Sequence, residues 1–292
     1  MARRAAVTTR AELVQGRGKG KDMSKGGWRL GFMLWAGIPV FVVIPCYNEV
    51  ERLDEAQVLS LCEEPSTSVV LVDDGSQDGT AALLDRIASR APKDRIRYLV
   101  LPENRGKAEA VRAGLLDALS RGASVVAYAD ADFATPPSEI LRLRRELDAS
   151  GAKVALGARI ARLGAHIDRK ASRHYLGRVF ATGASLVLGL AVYDTQCGAK
   201  VFRDTPALRH ALSQPFSSRW SFDVELIGRL GAGGPGVAPI TSAEMIEVPL
   251  RTWIDVGGSK MSLRGALEAG ADLMALGARV ARRGPGGFFP RQ

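Results

Sequence analysis

Asp130 and Asp132 are the residues whose type and spacing point most directly to chemistry. They follow an apolar run that reads as a buried strand, at a point where the backbone has to turn. Carboxylates at positions i and i+2 can share one hard cation, and Mg²⁺ or Mn²⁺ suits oxygen ligands of this kind. A bound ion would neutralise a departing nucleoside diphosphate. The alternative is an acidic turn that caps a helix near Pro136.

Polar residues also follow two other apolar runs. Pro45-Cys46-Tyr47-Asn48-Glu49 ends the first run, and Asp73-Asp74-Gly75-Ser76 ends the second. Asp73 and Asp74 are residues of the type that hold ribose hydroxyls in dinucleotide sites. Asp-Gly is also ordinary turn chemistry, so capping of the next helix is the competing interpretation.

Lys107 opens a helical pattern directly after Asn104-Arg105-Gly106. Backbone amides at a helix start and a neighbouring ammonium can together bind a phosphate. A solvated lysine in the first helical turn is the alternative.

The elements that must position these residues are alternating strands and helices, which is typical of an α/β fold with a mostly parallel sheet and helices on both faces. The predicted strands are Val40–Ile44, Val69–Val72, Arg97–Leu101, Val125–Ala129 and Val154–Gly157. The predicted helices between them lie near Val50–Cys62, Thr80–Ser89, Lys107–Ser120 and Ser138–Ala149. Ligands of such sheets bind beyond the carboxyl ends of the strands, where the acidic motifs stand.

After Gly157 the pattern predicts that the alternation stops. Residues 159–190 begin basic and continue apolar, which favours an amphipathic helix. A helix near Phe222–Leu230 and a strand near Ile246–Leu250 follow. The final helix, Leu263–Val280, places Leu263, Leu267, Met274 and Ala278 on one face.

Four motifs in order carry a resemblance to the family-2 inverting glycosyltransferases. They are Val43-Ile44-Pro45-Cys46-Tyr47-Asn48-Glu49, Val72-Asp73-Asp74-Gly75-Ser76, Asn104-Arg105-Gly106-Lys107 and Asp130-Ala131-Asp132. Three later motifs resemble the dolichyl-phosphate glucosyl- and mannosyltransferases, with the glucosyl members closer. These are Asp194-Thr195-Gln196-Cys197-Gly198-Ala199-Lys200, Arg219-Trp220-Ser221-Phe222-Asp223-Val224-Glu225 and Gly258-Ser259-Lys260. The resemblance covers roughly residues 40–262.

What the resemblance implies is a GT-A-type, Rossmann-like fold that binds a nucleoside-diphosphate sugar and a divalent metal. The implied donor residues are Pro45, Tyr47, Glu49 and Asp74, with Arg159, Lys200 and Lys260 facing phosphates and the metal on Asp130 and Asp132. Asp73, Lys107, Asp130 and Ala131 complete the expected donor site. A polar metal-holding residue of some mannosyl members would fall near Ala134, which cannot ligate, so water would complete the metal's shell.

The acceptor is expected to be a polyprenyl phosphate, whose oxygen is already anionic because the second pKa of a monoester is about 6. Arg169, Lys170 and Arg173 are the candidates to hold the acceptor phosphate, with the apolar helix after them at a membrane interface. A surface helix that covers the core is the plainer interpretation. Asp132 and Asp223 are the candidate catalytic residues, and Asp223 would be the base if the acceptor were a neutral hydroxyl.

The charge of the chain is uneven. Residues 1–37 carry eight Lys or Arg against two acidic residues, a net +6, and residues 279–292 carry four Arg and no acid, a net +4. Of the total of +9, this leaves −1 for residues 38–278. A near-neutral body disfavours a nucleic-acid partner and favours basic ends that touch an anionic membrane or are simply solvated.

Three cysteines without metal-ligand spacing indicate a reducing compartment, so a cytoplasmic protein peripheral at the cytoplasmic face of a membrane is expected. The apolar stretch from Trp28 to Ile44 is too short and interrupted for a spanning helix, which needs about 20 apolar residues. The expected division is a basic extension (1–37), a catalytic domain (38–262) and a C-terminal helix with a basic tail (263–292). Transfer to a soluble acceptor, and a non-catalytic basic protein that binds membrane or nucleic acid, are the alternatives.

Overall fold

Strands and helices alternate along most of the chain in the computed structural model, which describes residues 38–168, 171–256 and 263–281. The strands are β1 (Val40–Cys46), β2 (Thr67–Asp73), β3 (Ile96–Val100), β4 (Val125–Ala129), β5 (Val154–Ala158), β6 (His166–Asp168), β7 (Ala199–Arg203), β8 (Met245–Pro249) and β9 (Thr252–Ile254). The helices are α1 (Glu55–Leu61), α2 (Thr80–Arg90), α3 (Lys107–Ser120), α4 (Pro137–Ser150), α5 (Ala171–Leu188), α6 (Pro206–Leu212), α7 (Phe222–Ala232) and α8 (Leu263–Ala281).

Seven strands form one sheet in the order β3-β2-β1-β4-β7-β5-β8, and β6 pairs with β9 in a small second sheet. All neighbours in the large sheet are parallel except β7, which runs antiparallel to both β4 and β5. The predicted mostly parallel sheet is therefore confirmed. The prediction that alternation stops after Gly157 is wrong, because β7 and β8 extend the same sheet. The charged Lys200 inside β7 interrupts the apolar run that marks the other strands.

Helices cover both faces of the large sheet, as predicted. One hydrophobic cluster lies beneath α3, α5, α6, α7 and α8, and the other lies beneath α1, α2 and α4. Strand residues alternate between the two clusters, with Val43 in the first and Val42 in the second. This alternation follows from the two-residue period of a strand.

Helix α3 lies unusually close to β1 because Gly114 has no side chain. A Cβ at this position would lie 2.3 Å from Cγ1 of Val43. Glycine in a helix interior costs about 1 kcal/mol relative to alanine, so close packing is the reason for it here. The close approach directs the first turn of α3, with Lys107, toward the carboxyl edge of the sheet.

Helix α8 packs against α5, and its Leu273 and Leu276 belong to the main hydrophobic cluster. Met274 and Ala278, which the sequence placed on one helical face, are exposed instead. None of the helices in the described ranges is both long and apolar enough to cross a membrane. The basic extension (1–37) and residues 282–292 of the tail lie outside the described residues.

Candidate active site

The carboxyl ends of β1 and β2 are joined by a lattice of hydrogen bonds. The backbone amide of Asn48 donates to Oγ of Ser76 at 2.9 Å, and the amide of Gln77 donates to Oδ1 of Asn48 at 3.0 Å. The amide of Glu49 donates to Oγ1 of Thr80 at 2.8 Å. Asn48 has a φ of 51°, a left-handed conformation that asparagine tolerates better than most residues. The two loops thus form one rigid floor.

Asp74 connects this floor to the start of α3. Its two carboxylate oxygens accept from the backbone amides of Arg105 and Gly106, each at 2.8 Å. Burial raises the pKa of Asp74, and the two amides oppose that effect. Asp73 is also buried and accepts from the amide of Ser76 at 3.0 Å. Both aspartates therefore brace loops, and their predicted contact with a nucleotide stays a prediction.

The pair Asp130 and Asp132 lies in a tight turn after β4. The amide of Phe133 donates to the carbonyl of Asp130 at 3.1 Å, and the amide of Ala134 donates to Oδ1 of Asp132 at 3.1 Å. Phe133 has a φ of 46°, which a bulky residue adopts at a cost of order 1–3 kcal/mol and which is typical of functional turns. Burial, and then the charge of Asp130, raise the pKa of Asp132. The two carboxylates are close enough to repel each other.

Gly198, at the start of β7, provides the space that the Asp130 carboxylate occupies. Because β7 is antiparallel, its first residues lie beside the last residues of β4, and Ala199 pairs with Ala129. A Cβ on Gly198 would meet Oδ2 of Asp130 at only 2.0 Å. The strand that the sequence did not predict therefore forms one wall of the acidic site.

Lys107 lies opposite this wall. Its Nζ atom is 2.5 Å from Oδ1 of Asp130 and 5.9 Å from the centre of the Phe222 ring. Burial lowers the pKa of Lys107, but the carboxylates of Asp130 and Asp223 raise it by more, so the ammonium stays charged. The first helical turn thus brings a cation to the carboxylate pair, a contact that the sequence did not indicate, and the predicted contact of Lys107 with a phosphate stays a prediction.

Asp223, in the first turn of α7, is engaged by two buried groups. Its Oδ1 accepts from the Tyr128 hydroxyl and from Nζ of Lys200, the latter at 2.7 Å. Lys200 also donates to the Cys197 carbonyl at 2.6 Å, and its side chain has no exposed surface. Burial, and then the charge of Asp223, hold the pKa of Tyr128 well above its ordinary value. The predicted contact of Lys200 with a donor phosphate and the predicted base role of Asp223 stay predictions.

Arg159, directly after β5, is held by Asp194. The guanidinium donates to both carboxylate oxygens, at 2.7 Å and 2.8 Å, and stacks 5.5 Å from the Trp253 ring. Burial raises the pKa of Asp194, but Arg159 lowers it by more, to about 2. The amide of Asp194 in turn donates to Glu247 at 2.7 Å. These contacts fix the loop that ends at Gly198.

Other predicted donor residues also lie at this edge of the sheet, and their contact with a donor stays a prediction. Pro45 is the next-to-last residue of β1, Tyr47 is half-buried, and Glu49 pairs with Arg52 at 2.7 Å and 2.9 Å. Ala131 is buried between the two aspartates. Arg169, Lys170 and Lys260 lie outside the described residues, and Arg173 lies in α5 without a described side chain.

The residues present fit a divalent cation. Oδ1 of Asp130 is buried, and among the described residues the Lys107 ammonium is its one partner. Asp130 and Asp132 supply hard oxygen ligands, and Gly198 keeps the space around them clear. In the described ranges, no cluster of three or more His, Cys, Asp or Glu is arranged as a metal site. An ion here would therefore complete its shell with ligand oxygens and water, as the absence of a ligating side chain at Ala134 predicts.

Three residues that contribute to the site were not singled out from the sequence. Tyr128 lies opposite Lys200 across the β4–β7 pair, Asp194 binds Arg159, and Glu247 anchors the Asp194 loop. Tyr128 meets Lys200 through the antiparallel β7, which no hydrophobic pattern indicated. Of these three residues, Asp194 alone lies in a motif that was recognised in the sequence, and that motif was the available sign of its importance.

Comparison with known proteins agrees with this geometry. Residues 41–208 match the model of the family described as Glycosyl transferase family 2. The chain is 32% identical over 259 residues to the dolichyl-phosphate beta-glucosyltransferase of Drosophila melanogaster, covering 82% of this chain and 74% of that protein. It is 33% identical over 231 residues to the polyprenol monophosphomannose synthase of Mycolicibacterium smegmatis, covering 78% and 83%.

Solved structures show the same fold at low sequence identity. Glucosyl-3-phosphoglycerate synthase from Mycobacterium tuberculosis, in complex with phosphoglyceric acid, superposes with a TM-score of 0.60 at 16% identity. The match covers 87% of this chain and 86% of that one. The same enzyme in complex with Mn²⁺, uridine diphosphate and glucosyl-3-phosphoglycerate gives a TM-score of 0.58, also at 16% identity, with coverage of 82% and 79%.

Proposed function

We propose, because this chain belongs to glycosyl transferase family 2, that it transfers a hexose from a nucleoside-diphosphate sugar to a polyprenyl phosphate with inversion of configuration. Glucose is the proposed sugar and dolichyl phosphate the model acceptor. The observation that carries the proposal is the carboxylate pair beside Lys107 at the carboxyl edge of the sheet. The names of the glucosyl- and mannosyl-transferring relatives support the class of acceptor.

On the donor side, Asp130 and Asp132 would hold Mg²⁺ or Mn²⁺. Such an ion supplies Lewis-acid stabilisation of the diphosphate as it leaves. Lys107 adds a positive charge on the same side, and the rigid floor built by Asn48 and Asp74 leaves little reorganisation to be done during the reaction. Together these residues stabilise the charge that develops on the leaving group.

On the acceptor side, a polyprenyl phosphate supplies its own anionic nucleophile, since the second pKa of a phosphate monoester is about 6. A strong general base is then unnecessary. This agrees with Asp223, whose Oδ1 is already occupied by Tyr128 and Lys200. Arg169, Lys170 and Arg173 are proposed to hold the acceptor phosphate.

A peripheral membrane contact is part of the proposal, because the acceptor is a lipid. Val179 and Leu186 on α5 are 72% and 78% exposed, and Met274 on the neighbouring α8 is 73% exposed. Large apolar side chains grouped on adjacent helices are typical of interfacial contacts. The placement at a cytoplasmic face remains an expectation drawn from cysteine usage.

Sedimentation with vesicles tests this contact. Leu186→Glu together with Met274→Glu is expected to reduce binding to vesicles that contain an anionic lipid, since two charges would enter the apolar interface. Ser120→Glu, at an exposed helix end elsewhere, is the control for added charge. Equal binding by all three proteins would remove these helices from the proposal.

Transfer itself is tested with labelled UDP-glucose and GDP-mannose in the presence of Mn²⁺. The acceptors are a polyprenyl phosphate, the corresponding polyprenol and a water-soluble phosphorylated hydroxy acid. We expect lipid-extractable product from UDP-glucose and the polyprenyl phosphate. Product formed only with the soluble acid would show that the acceptor is soluble rather than a lipid. Product formed only from GDP-mannose would show that the transferred sugar is mannose rather than glucose.

A further inference from the structure

The ammonium of Lys107 lies against a carboxylate oxygen of Asp130 that a metal ion would also use. Its Nζ is 2.5 Å from Oδ1 of Asp130, and that oxygen is buried and has no further hydrogen-bond partner in the part of the chain that the structure describes. Magnesium ligands lie about 2.0–2.1 Å from the ion, so an ion bound to this oxygen would lie close to the ammonium. A doubly charged ion would also repel an ammonium at this separation.

We propose that Lys107 acts as a resident counterion of Asp130, occupies the metal position before the donor binds, and passes to the donor's diphosphate when the ion enters. The inference rests on the proposed function and adds to it a competition between lysine and metal. It assigns Lys107 two successive partners, the carboxylate first and the diphosphate second.

The surroundings of Lys107 allow this movement. Its side chain is 40% exposed, and lysine carries its charge on a flexible four-carbon stem. The charge of Asp223 attracts the ammonium from another side, and the Phe222 ring lies 5.9 Å away. An ammonium displaced from Asp130 therefore has favourable surroundings within the cleft, next to where the diphosphate would bind.

The proposal predicts that removing Lys107 strengthens metal binding, whereas the loss of an ordinary binding residue would weaken it. Removing the ammonium frees Asp130, so Lys107→Met should bind Mn²⁺ alone more tightly than wild type. Exposed ion pairs are weak, and for one exposed to this degree we expect an increase of about two- to fivefold. The same substitution removes a cation from the diphosphate, so it should weaken binding of the nucleotide about tenfold.

The chain offers a closely matched control. Nζ of Lys153 lies 2.5 Å from Oε1 of Glu244, and the two side chains are 39% and 33% exposed. Lys153 directly precedes β5, at the edge of the sheet opposite Arg159. Lys153→Met removes an equivalent ion pair without touching the cleft, and Lys107→Arg keeps the positive charge at the site.

The experiment measures free Mn²⁺ by electron paramagnetic resonance during titration of the four proteins, first without nucleotide. Calorimetry at saturating Mn²⁺ then measures UDP and GDP binding. We expect Lys107→Met alone to gain Mn²⁺ affinity and lose affinity for the nucleotide that wild type binds. Unchanged or weaker Mn²⁺ binding by Lys107→Met, with normal binding by wild type, overturns the inference and leaves the proposed function standing. Wild type that binds no Mn²⁺ even with nucleotide overturns both.

Discussion

Substituting Gly198 with alanine tests whether the wall formed by β7 sets the position of Asp130. The φ of Gly198 lies outside the left-handed region, so alanine fits the backbone. Its Cβ would lie 2.0 Å from Oδ2 and 2.3 Å from Cγ of Asp130, where ordinary contacts are about 3.5 Å. The carboxylate would have to move by roughly 1.5 Å, the difference between the ordinary distance and 2.0 Å.

That displacement should lower the free energy of unfolding and should lower kcat by a larger factor. Overpacking of this kind costs about 1–3 kcal/mol, and a misplacement of about 1 Å at a reacting centre can reduce the rate about 100-fold. We therefore expect Gly198→Ala to lose about 100-fold in kcat, with a modest fall in the free energy of unfolding. Gly270→Ala, in open space on α8, is the control and should change neither quantity adversely.

A double-mutant cycle with Asp130→Ala isolates the clash, because the Asp130→Ala substitution deletes the carboxylate atoms that the new methyl group meets. Gly198→Ala should cost about 1–3 kcal/mol in wild type and close to nothing in the Asp130→Ala background, as measured by urea unfolding. An equal cost in both backgrounds would refute the reasoning, since the clash would then lie elsewhere.

Three further substitutions have expected outcomes. Asp132→Asn should nearly abolish transfer while the thermal midpoint stays unchanged, and full turnover with Mn²⁺ would remove the metal assignment. Asp223→Ala should be destabilised by about 3–5 kcal/mol in urea unfolding, since it leaves the Lys200 charge buried, and adding Lys200→Met should recover part of that loss. The folded pKa of Asp194 is about 2 against 3.8, so its contribution is present above about pH 4 and disappears as the pH falls through 2. Asp194→Asn should remove about 2 kcal/mol of that acid dependence, and an identical acid unfolding profile would contradict the pairing with Arg159.

The sequence predicted β1, β2, β4 and β5, because these strands read as nearly continuous apolar runs, and it also predicted the partly exposed edge strand β3. β4 was predicted with its observed bounds, and β1, β2, β3 and β5 to within a few residues, so the acidic pair was correctly placed at a strand end. β7 was missed because Lys200 breaks its apolar pattern. A buried lysine is unfavourable unless it is paired, and its partners Asp223 and Tyr128 come from distant segments. No local pattern could have shown that pairing.

The sequence predicted the last amphipathic helix but did not predict correctly which of its faces is buried. The pattern in the last helix grouped Met274 with Ala278, whereas Leu273 and Leu276 are the side chains buried in the main hydrophobic cluster. Periodicity shows that a helix has an apolar stripe, but the partner determines which stripe is covered. The apolar residues left over are the ones that the proposed membrane contact uses.

Four acid–base pairs line the cleft, each of them neutral, namely Glu49 with Arg52, Lys107 with Asp130, Arg159 with Asp194, and Lys200 with Asp223, and Asp132 adds a further carboxylate. A divalent cation entering alone would bring more positive charge than Asp132 balances, and a diphosphate alone would add negative charge. Entering together they largely cancel, so each should raise the affinity of the other by the same factor. Lys107 is the member best placed to respond, because it is the most exposed of the four cations and adjoins both the carboxylate pair and the proposed diphosphate position. The coupling between metal and nucleotide should therefore be smaller in Lys107→Met, where the ion no longer has to displace a lysine.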